Sequence, residues 1–252
     1  MNLVGAVLLA VGFATLIAVA LSYHKLSGMI QQRRQEALEQ ANNIVTQVEA
    51  LIGLYAELQL DHALPRSRGW AASPDLLQVI VGLLNAQRPS LILECSSGLS
   101  TLVLAAHCRR RGTGRVLSLE HDPVYSEQTR AMLRLHGLAG WAEVIDAPLV
   151  PLKLPGWDGS WYELKGLPTP IKADMLVVDG PPTSVSPLAR YPALPMLLDR
   201  LTESAVVVLD DASRADELKL VARWLQEFPQ ASEMRVPRCE KGVAVLTIAS
   251  PT

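Results

Sequence analysis

The chain has 252 residues, of which 49% are hydrophobic and 19% are charged, and its formal net charge is −2 at pH 7. A chain with so little net charge has no general attraction to nucleic acid, so we expect no nucleic-acid partner. Its three cysteines include no Cys-x-x-Cys pair, which argues against a disulfide framework and a zinc site and is typical of a reducing compartment.

The first predicted element is an apolar run of 19 residues, Leu3 to Leu21, without a charged side chain. As a helix this run is about 28 Å long, close to the hydrocarbon thickness of a bilayer. A cleaved signal peptide is the alternative, but the run is long for one and no Lys or Arg precedes it. Because Lys25, Arg33 and Arg34 follow, the positive-inside rule predicts a single-pass transmembrane helix over residues 1–22 of a bacterial inner membrane protein, with the remaining chain in the cytoplasm.

Residues 23–64 are predicted to form a helical stalk. Its apolar positions alternate spacings of four and three residues: Ala37, Ala41, Ile44, Val48, Leu51, Tyr55 and Leu58. Such a heptad seam either pairs two chains in a coiled coil or lays the helix on its own globular domain, and the sequence leaves both open. A stripe of small residues in the membrane run is a second route to a homodimer: Ala6, Ala10, Ala14 and Ala18.

Residues 65–252 are predicted to form one globular domain in which strands alternate with helices. Strands are predicted at 91–94, 116–120, 142–146, 174–179 and 205–210, and helices at 74–86, 99–110, 123–136, 193–201 and 215–228. This alternation predicts an α/β fold with a parallel sheet and helices on both faces. A hairpin of residues 232–236 and 243–248 makes the last strand antiparallel, and residues 147–172 are predicted to be irregular.

The residues at the strand ends are the first functional candidates, because ligands of such sheets bind beyond the carboxyl ends of the strands. The first strand ends in Glu94 and is followed by a turn of small residues up to Gly98, which lets a ligand approach backbone N–H groups. The second strand ends in Glu120, whose carboxylate can accept two hydrogen bonds from a ribose. A nicotinamide dinucleotide is bound in a similar way, but the Gly-x-Gly-x-x-Gly turn it prefers is absent.

The order of the motifs is more specific than any one of them. Glu-x-x-x-Gly-x-Ser-Thr is followed by Ser-Leu-Glu-His-Asp-Pro, Asp-Ala, Val-Asp-Gly-Pro-Pro and Leu-Asp-Asp-Ala. This series resembles the class I S-adenosylmethionine-dependent methyltransferases, and most closely the small bacterial group whose first motif is ExGxGxST. The resemblance covers about residues 70–249 and implies a Rossmann-like, seven-stranded, mostly parallel sheet. The cofactor-binding residues it implies are Glu94, Ser96, Gly98, Ser100, Thr101, Glu120, His121, Asp146 and Ala147, with Ser96 where the family has a glycine.

Three acids at the ends of the fourth and fifth strands are the candidate metal ligands. Asp179, Asp210 and Asp211 are expected to converge and to repel one another unless a cation or protons intervene, and oxygen ligands suit Mg²⁺ or Mn²⁺. The arrangement is similar to that of metal-dependent O-methyltransferases such as the catechol and macrocin enzymes, in which the ion lowers the pKa of the acceptor hydroxyl. Pro182 stands where the catechol enzyme has its lysine base, so the base is the metal-bound environment itself, His121 or a group that the sequence does not identify. Asp179 and His121 are the candidate catalytic residues. The alternative without an ion is that the three acids cap the next helix and order the turn after Asp179.

Aromatic and basic residues near the strand ends are the candidate substrate contacts: Trp157, Trp161, Tyr162, Arg190 and Tyr191. Core packing is the alternative for the first three, and a solvated loop for the last two. Together these features predict a membrane-anchored S-adenosylmethionine-dependent methyltransferase that modifies a hydroxyl of a glycan, a lipid-linked intermediate or a small molecule. The alternatives are a catalytically inactive membrane-anchored scaffold with this fold and a nucleotide-dependent oxidoreductase or epimerase.

Overall fold

A computed structural model describes residues 3–69 and 71–249 of the chain. The first element is α1 (Leu3–Leu58), a single helix of 56 residues without a break between the predicted membrane run and the predicted stalk. Within the described part of the chain, α1 is the one helix that is long and apolar enough to cross a membrane. Two side chains of the predicted small-residue stripe, those of Ala6 and Ala10, lie outside the described residues.

The chain divides into two compact units, and the second begins at Gln47, earlier than the predicted boundary at residue 65. The last three turns of α1 therefore belong to the globular unit, where Gln47, Ala50, Leu54 and Leu58 are buried. Leu54 and Leu58 pack in the same apolar cluster as the residues of the next helix. At this end α1 lies on its own domain. Of its four buried residues, only Leu58 belongs to the predicted heptad seam.

The globular unit consists of two sheets and the helices that cover the larger one. Its elements are α2 (Pro74–Gln87), β1 (Leu91–Cys95), α3 (Leu99–Arg111), β2 (Arg115–Glu120), α4 (Pro123–Leu135), β3 (Ala142–Asp146), β4 (Leu149–Leu154), β5 (Trp157–Tyr162), β6 (Ala173–Val178), α5 (Ala193–Leu197), β7 (Leu201–Asp210), α6 (Ala215–Glu227), β8 (Ala231–Met234) and β9 (Val243–Ile248). The main sheet has seven strands in the order β3-β2-β1-β6-β7-β9-β8. Within this seven-stranded sheet only the pairs that include β9 are antiparallel, which confirms the predicted fold class.

The main sheet is buried on both faces, which explains the continuous apolar runs of its strands. In β1, for example, Leu93 and Cys95 belong to one apolar cluster, and Ile92 between them belongs to the other. Because β1, β2, β3, β6 and β7 are parallel neighbours, their carboxyl ends meet at one edge of the sheet. This edge carries the candidate residues.

The segment predicted to be irregular contains a second, two-stranded sheet, so that prediction was wrong. The strands β4 and β5 pair antiparallel around a two-residue turn, Pro155-Gly156, in which Gly156 has a φ of 67°. Such a left-handed conformation favours glycine, and the Pro-Gly dipeptide was the available turn signal. The aromatic residues of β5 are buried in the main apolar cluster.

Candidate active site

Hydrogen bonds between buried polar groups fix the conformation of the turn after β1. Thr101 Oγ1 donates a hydrogen bond to Glu94 Oε2 at 2.5 Å and accepts one from the Gly98 N–H at 2.9 Å. Burial raises the pKa of Glu94 to about 7, although hydrogen bonds from Ser100 and Thr101 act in the opposite direction. Glu94, Ser100 and Thr101, predicted as cofactor-binding residues, are all buried, so in this structure they support the turn instead of presenting side chains on its surface.

Two residues of this turn have positive φ angles. Ser96 has a φ of 83°, in the left-handed region, so a serine adopts there a conformation that favours glycine. Gly98 has a φ of 158°, and a Cβ atom built on it meets no heavy atom within 4 Å. The space in front of Gly98 is therefore open, as a cofactor that approaches the backbone at the start of α3 requires.

The carboxylate of Glu120 lies beside the same turn and is almost completely buried. Its Oε2 accepts hydrogen bonds from the Ser97 N–H at 2.8 Å and from Ser97 Oγ at 3.1 Å, and its Oε1 accepts from the N–H groups of His121 and Asp122. Burial raises the pKa of Glu120, but the hydrogen bonds from His121, Asp122 and Ser97 outweigh burial, so the net shift is downward. Glu120 is thus an ionised acceptor at the turn, and Ser97 is a site residue that the sequence reasoning missed.

His121 lies between Glu120 and Tyr162. Its Nδ1 is 3.0 Å from Glu120 Oε1, and its ring centroid is 6.0 Å from that of Tyr162. The hydrogen bond to Glu120 raises the pKa of His121, partly offset by burial. A histidine that holds its proton more tightly is a weaker candidate for the general base.

The end of β3 contributes Asp146 and Ala147 to the same edge. Asp146 is exposed, and its Oδ1 accepts hydrogen bonds from Ser126 Oγ at 2.6 Å and from Arg130 Nη2 at 2.8 Å. These two partners lower the pKa of Asp146. The Ala147 N–H donates to the Glu120 carbonyl oxygen at 2.7 Å, which joins the ends of β2 and β3.

The three predicted metal ligands do converge. One carboxylate oxygen each of Asp179, Asp210 and Asp211 lies within 4.8 Å of the others, because β6 and β7 pair in register up to Val178 and Leu209. The Asp179 N–H donates to the Cys95 carbonyl oxygen at 3.0 Å, so this cluster adjoins the turn after β1. Burial raises the pKa of Asp179 well above its usual value, the neighbouring Asp210 raises it further, and the Arg190 guanidinium opposes both.

Arg190 lies buried inside this acidic cluster, which corrects both the prediction that it contacts the substrate and the alternative of a solvated loop. Its Nη2 donates to Asp211 Oδ2 at 2.9 Å and to Asp179 Oδ1 at 3.2 Å, and its Nη1 donates to the Asp210 carbonyl oxygen at 2.9 Å. Tyr191 is also buried, and its hydroxyl donates to Glu227 Oε2 at 2.6 Å. Neither side chain is accessible to a substrate in this structure.

The three aromatic candidates are core residues of β5, so core packing, the alternative that the sequence left open, describes them and substrate contact does not. Trp157 Nε1 donates to the Pro187 carbonyl oxygen, and the Trp161 ring packs 5.0 Å from the Tyr162 ring, centroid to centroid. Tyr162 comes nearest to the candidate site, because its hydroxyl lies 2.5 Å from the position of a Cβ built on Gly180. That hydroxyl is buried and has no hydrogen-bond partner among the described residues.

The seven-stranded sheet with its antiparallel β9 has the fold of class I S-adenosylmethionine-dependent methyltransferases, and small and acidic residues lie along its carboxyl edge. Residues 93–212 match the family described as a methyltransferase domain. This match and the antiparallel β9 argue against an oxidoreductase or epimerase. No curated protein matches the chain.

Solved methyltransferases share the fold at low sequence identity. SAH-bound PaMTH1 from Podospora anserina is 17% identical, with a TM-score of 0.56 over 80% of this chain and 88% of its own. The O-methyltransferase TomG from Streptomyces achromogenes, involved in tomaymycin synthesis and solved in complex with SAM, is 19% identical, with a TM-score of 0.51 over 80% and 90%. An O-methyltransferase from Bacillus cereus in complex with SAH is 18% identical, with a TM-score of 0.51 over 82% and 91%.

Proposed function

We propose that this chain is a membrane-anchored methyltransferase that transfers the methyl group of S-adenosylmethionine to a hydroxyl acceptor. The acceptor is a glycan, a lipid-linked intermediate or a small molecule. The observation that carries the proposal is the position of Asp179, a carboxylate that adjoins the turn after β1 and is partly open to solvent. Two of the three solved relatives named above are O-methyltransferases, which supports oxygen as the acceptor atom.

The cofactor fits the described residues at the ends of β1, β2 and β3. The open space in front of Gly98 would admit it to the backbone at the start of α3, and the ionised Glu120 would accept hydrogen bonds from its ribose hydroxyls. Asp146 and Ala147 lie at the neighbouring strand end, where they would face the adenine. When bound, S-adenosylmethionine supplies a methyl group on a positively charged sulfur, which is already a good leaving group.

The protein must align the acceptor and remove its proton. Asp179 is suited to accept that proton, because its side chain is 18% exposed whereas those of Arg190 and Asp211 are only 4% exposed. Burial and the adjacent carboxylates raise the pKa of Asp179, which moves its basicity toward neutral pH, where a general base is most effective. His121 is not assigned this role, since its Nδ1 faces Glu120.

We propose that α1 anchors the protein as a single-pass helix in a bacterial inner membrane, with the globular unit in the cytoplasm. The apolar run of α1 and the positive charges of Lys25, Arg33 and Arg34 after it support this orientation. A homodimer formed through α1 stays a prediction. A reporter fused after the last residue is expected to behave as cytoplasmic, and activity of a reporter that requires the periplasm contradicts the orientation.

The reaction is tested with the full-length protein in detergent, tritium-labelled S-adenosylmethionine, and lipid, glycan and small-molecule extracts as acceptors. We expect label in a product whose methyl group is bound to oxygen, and a loss of at least tenfold in Asp179→Asn. The matched control is Asp158→Asn, because Asp158 lies on β5 with an exposed side chain. Equal transfer by the Asp179 variant, or label on nitrogen or sulfur, contradicts the proposal, and absence of both transfer and cofactor binding supports the inactive scaffold.

A further inference from the structure

The candidate metal site contains more buried acids than the sequence reasoning identified. Glu217, in the first turn of α6, is buried, and its Oε1 lies 3.8 Å from Arg190 Nη1. The carboxylates of Asp179, Asp211 and Glu217 therefore lie against one guanidinium. The carboxylate of Asp210 adjoins them, with one oxygen within 4.8 Å of those of Asp179 and Asp211. Buried like charges destabilise one another unless a cation lies among them, so the identity of that cation decides the chemistry of the site.

The described residues already provide the cation. The Arg190 guanidinium binds one oxygen of Asp179 and one of Asp211 through the same nitrogen, Nη2. Its other terminal nitrogen is fixed to the main chain of β7, at the Asp210 carbonyl oxygen. Asp211 Oδ2 also pairs with Arg214 Nη1 at 2.9 Å. The carboxylate oxygens of Asp179 and Asp211 that face Arg190 are therefore already bound, and a divalent ion in this cluster would have to lie beside a buried guanidinium, which repels it.

We infer that Arg190 takes the place of a divalent cation in this site, so that it is a positioning residue that orients Asp179 for a reaction independent of metal. The inference rests on the proposed function, because it concerns the carboxylate assigned as the base. A guanidinium is always protonated and its planar donors match carboxylates, so Arg190 holds the acids together at every physiological pH. Unlike a metal ion, it has no open coordination position for the acceptor.

Two buried oxygens of the cluster, Asp210 Oδ2 and Asp211 Oδ1, have no hydrogen-bond partner among the described residues. These are the atoms that an added ion would have to use, so binding of an ion must be measured directly. Mn²⁺ serves as the probe because its electron paramagnetic resonance signal falls when it binds. The protein is purified in detergent, treated with chelator and dialysed before the titration.

We expect the wild type and Asp210→Asn to give the same Mn²⁺ titration, without a saturable site, and the wild type to keep its melting temperature in chelator. Arg190→Gln removes the guanidinium, so we expect it to show a saturable Mn²⁺ site that the wild type lacks and to melt higher when Mn²⁺ is present. Arg190→Lys keeps a positive charge in the cluster, so we expect its Mn²⁺ titration to show no saturable site. A purely structural role of Arg190 predicts no such gain of metal binding.

A stoichiometric Mn²⁺ site in the wild type that disappears in Asp210→Asn overturns the inference. So does a folded Arg190→Gln variant that gains no Mn²⁺ affinity. If Arg190→Gln does not fold, the comparison between the wild type and Asp210→Asn still decides the question. Calorimetric titration of the same samples with S-adenosylmethionine separates this inference from the proposed function, because cofactor binding does not depend on the result with Mn²⁺.

Discussion

Replacement of Glu120 by glutamine isolates the charge of the carboxylate at the turn after β1. In the wild type Glu120 accepts four hydrogen bonds, two from Ser97 and one from each N–H group of His121 and Asp122. The glutamine side chain has the same shape but presents an NH₂ group in place of one oxygen. That NH₂ group is a donor, and it would point at the N–H or O–H groups that donate to the carboxylate in the wild type. The charge-assisted bonds that the ribose hydroxyls make with the carboxylate are lost as well.

The size of the effect follows from these contacts. A hydrogen bond to a charged group contributes about 1.5–3 kcal/mol, and the glutamine oxygen retains part of it. We therefore expect S-adenosylmethionine to bind about 1–3 kcal/mol more weakly, which is a factor of roughly 5 to 150 in the dissociation constant.

Isothermal titration calorimetry of the wild type and Glu120→Gln measures this difference, with circular dichroism to show that both are folded. The matched control is Glu143→Gln, because Glu143 lies on the adjacent strand β3, where its side chain is half exposed and pairs with Arg115. The control is expected to bind the cofactor as the wild type does. Equal affinity in Glu120→Gln and the control refutes the assignment of Glu120 to the ribose.

Three further predictions concern stability and are measured by urea denaturation. Burial raises the pKa of Glu94 to about 7, so its contribution to stability is complete below the unfolded pKa of 4.5 and is lost as the pH rises through 7. Relative to Glu94→Gln, the wild type is expected to lose about 3 kcal/mol between pH 4 and pH 8, and parallel pH profiles would contradict this. Leu54→Ala is expected to cost about 2–5 kcal/mol because Leu54 is buried, whereas Ile52→Ala on the exposed side of α1 is expected to cost less than about 0.5 kcal/mol. Similar losses in both would show that the end of α1 is not docked. Ser96→Gly is expected to stabilise the protein by up to about 1 kcal/mol, because glycine relieves the strain at a φ of 83°, and a loss of stability would contradict that reading.

The main sheet could be predicted from the sequence because its strands are buried on both faces. In β1 and β6 nearly every residue is apolar, so a short run between turn signals was sufficient to place each strand. The β4–β5 hairpin was missed because Lys153, Asp158 and Ser160 interrupt its apolar residues, although its buried aromatic residues belong to the same apolar cluster as residues of the main sheet. Local patterning does not reveal a strand of this kind.

The two halves of the candidate site were predictable to different degrees. The turn after β1 is encoded by neighbouring residues, so Gly98 and the strand-end acid Glu120 could be identified from motif order. The position of Arg190 in the acidic cluster could not be predicted from the sequence, because Arg190 is 11 residues from Asp179 and 21 from Asp211 along the chain. Only the pairing of β6 with β7 and the path of the intervening loop bring these charges together.

The most direct test of the account is a calorimetric titration of the full-length wild-type protein and Gly98→Val with S-adenosylmethionine. We expect the wild type to bind one molecule per chain in a saturable titration. A branched side chain at Gly98 occupies the open space in front of the turn and is also strained at a φ of 158°, so we expect Gly98→Val to lose binding, with circular dichroism to show that the variant is folded. Absence of binding to the wild type, or equal binding by both proteins, contradicts the claim that this turn is the cofactor site of a methyltransferase.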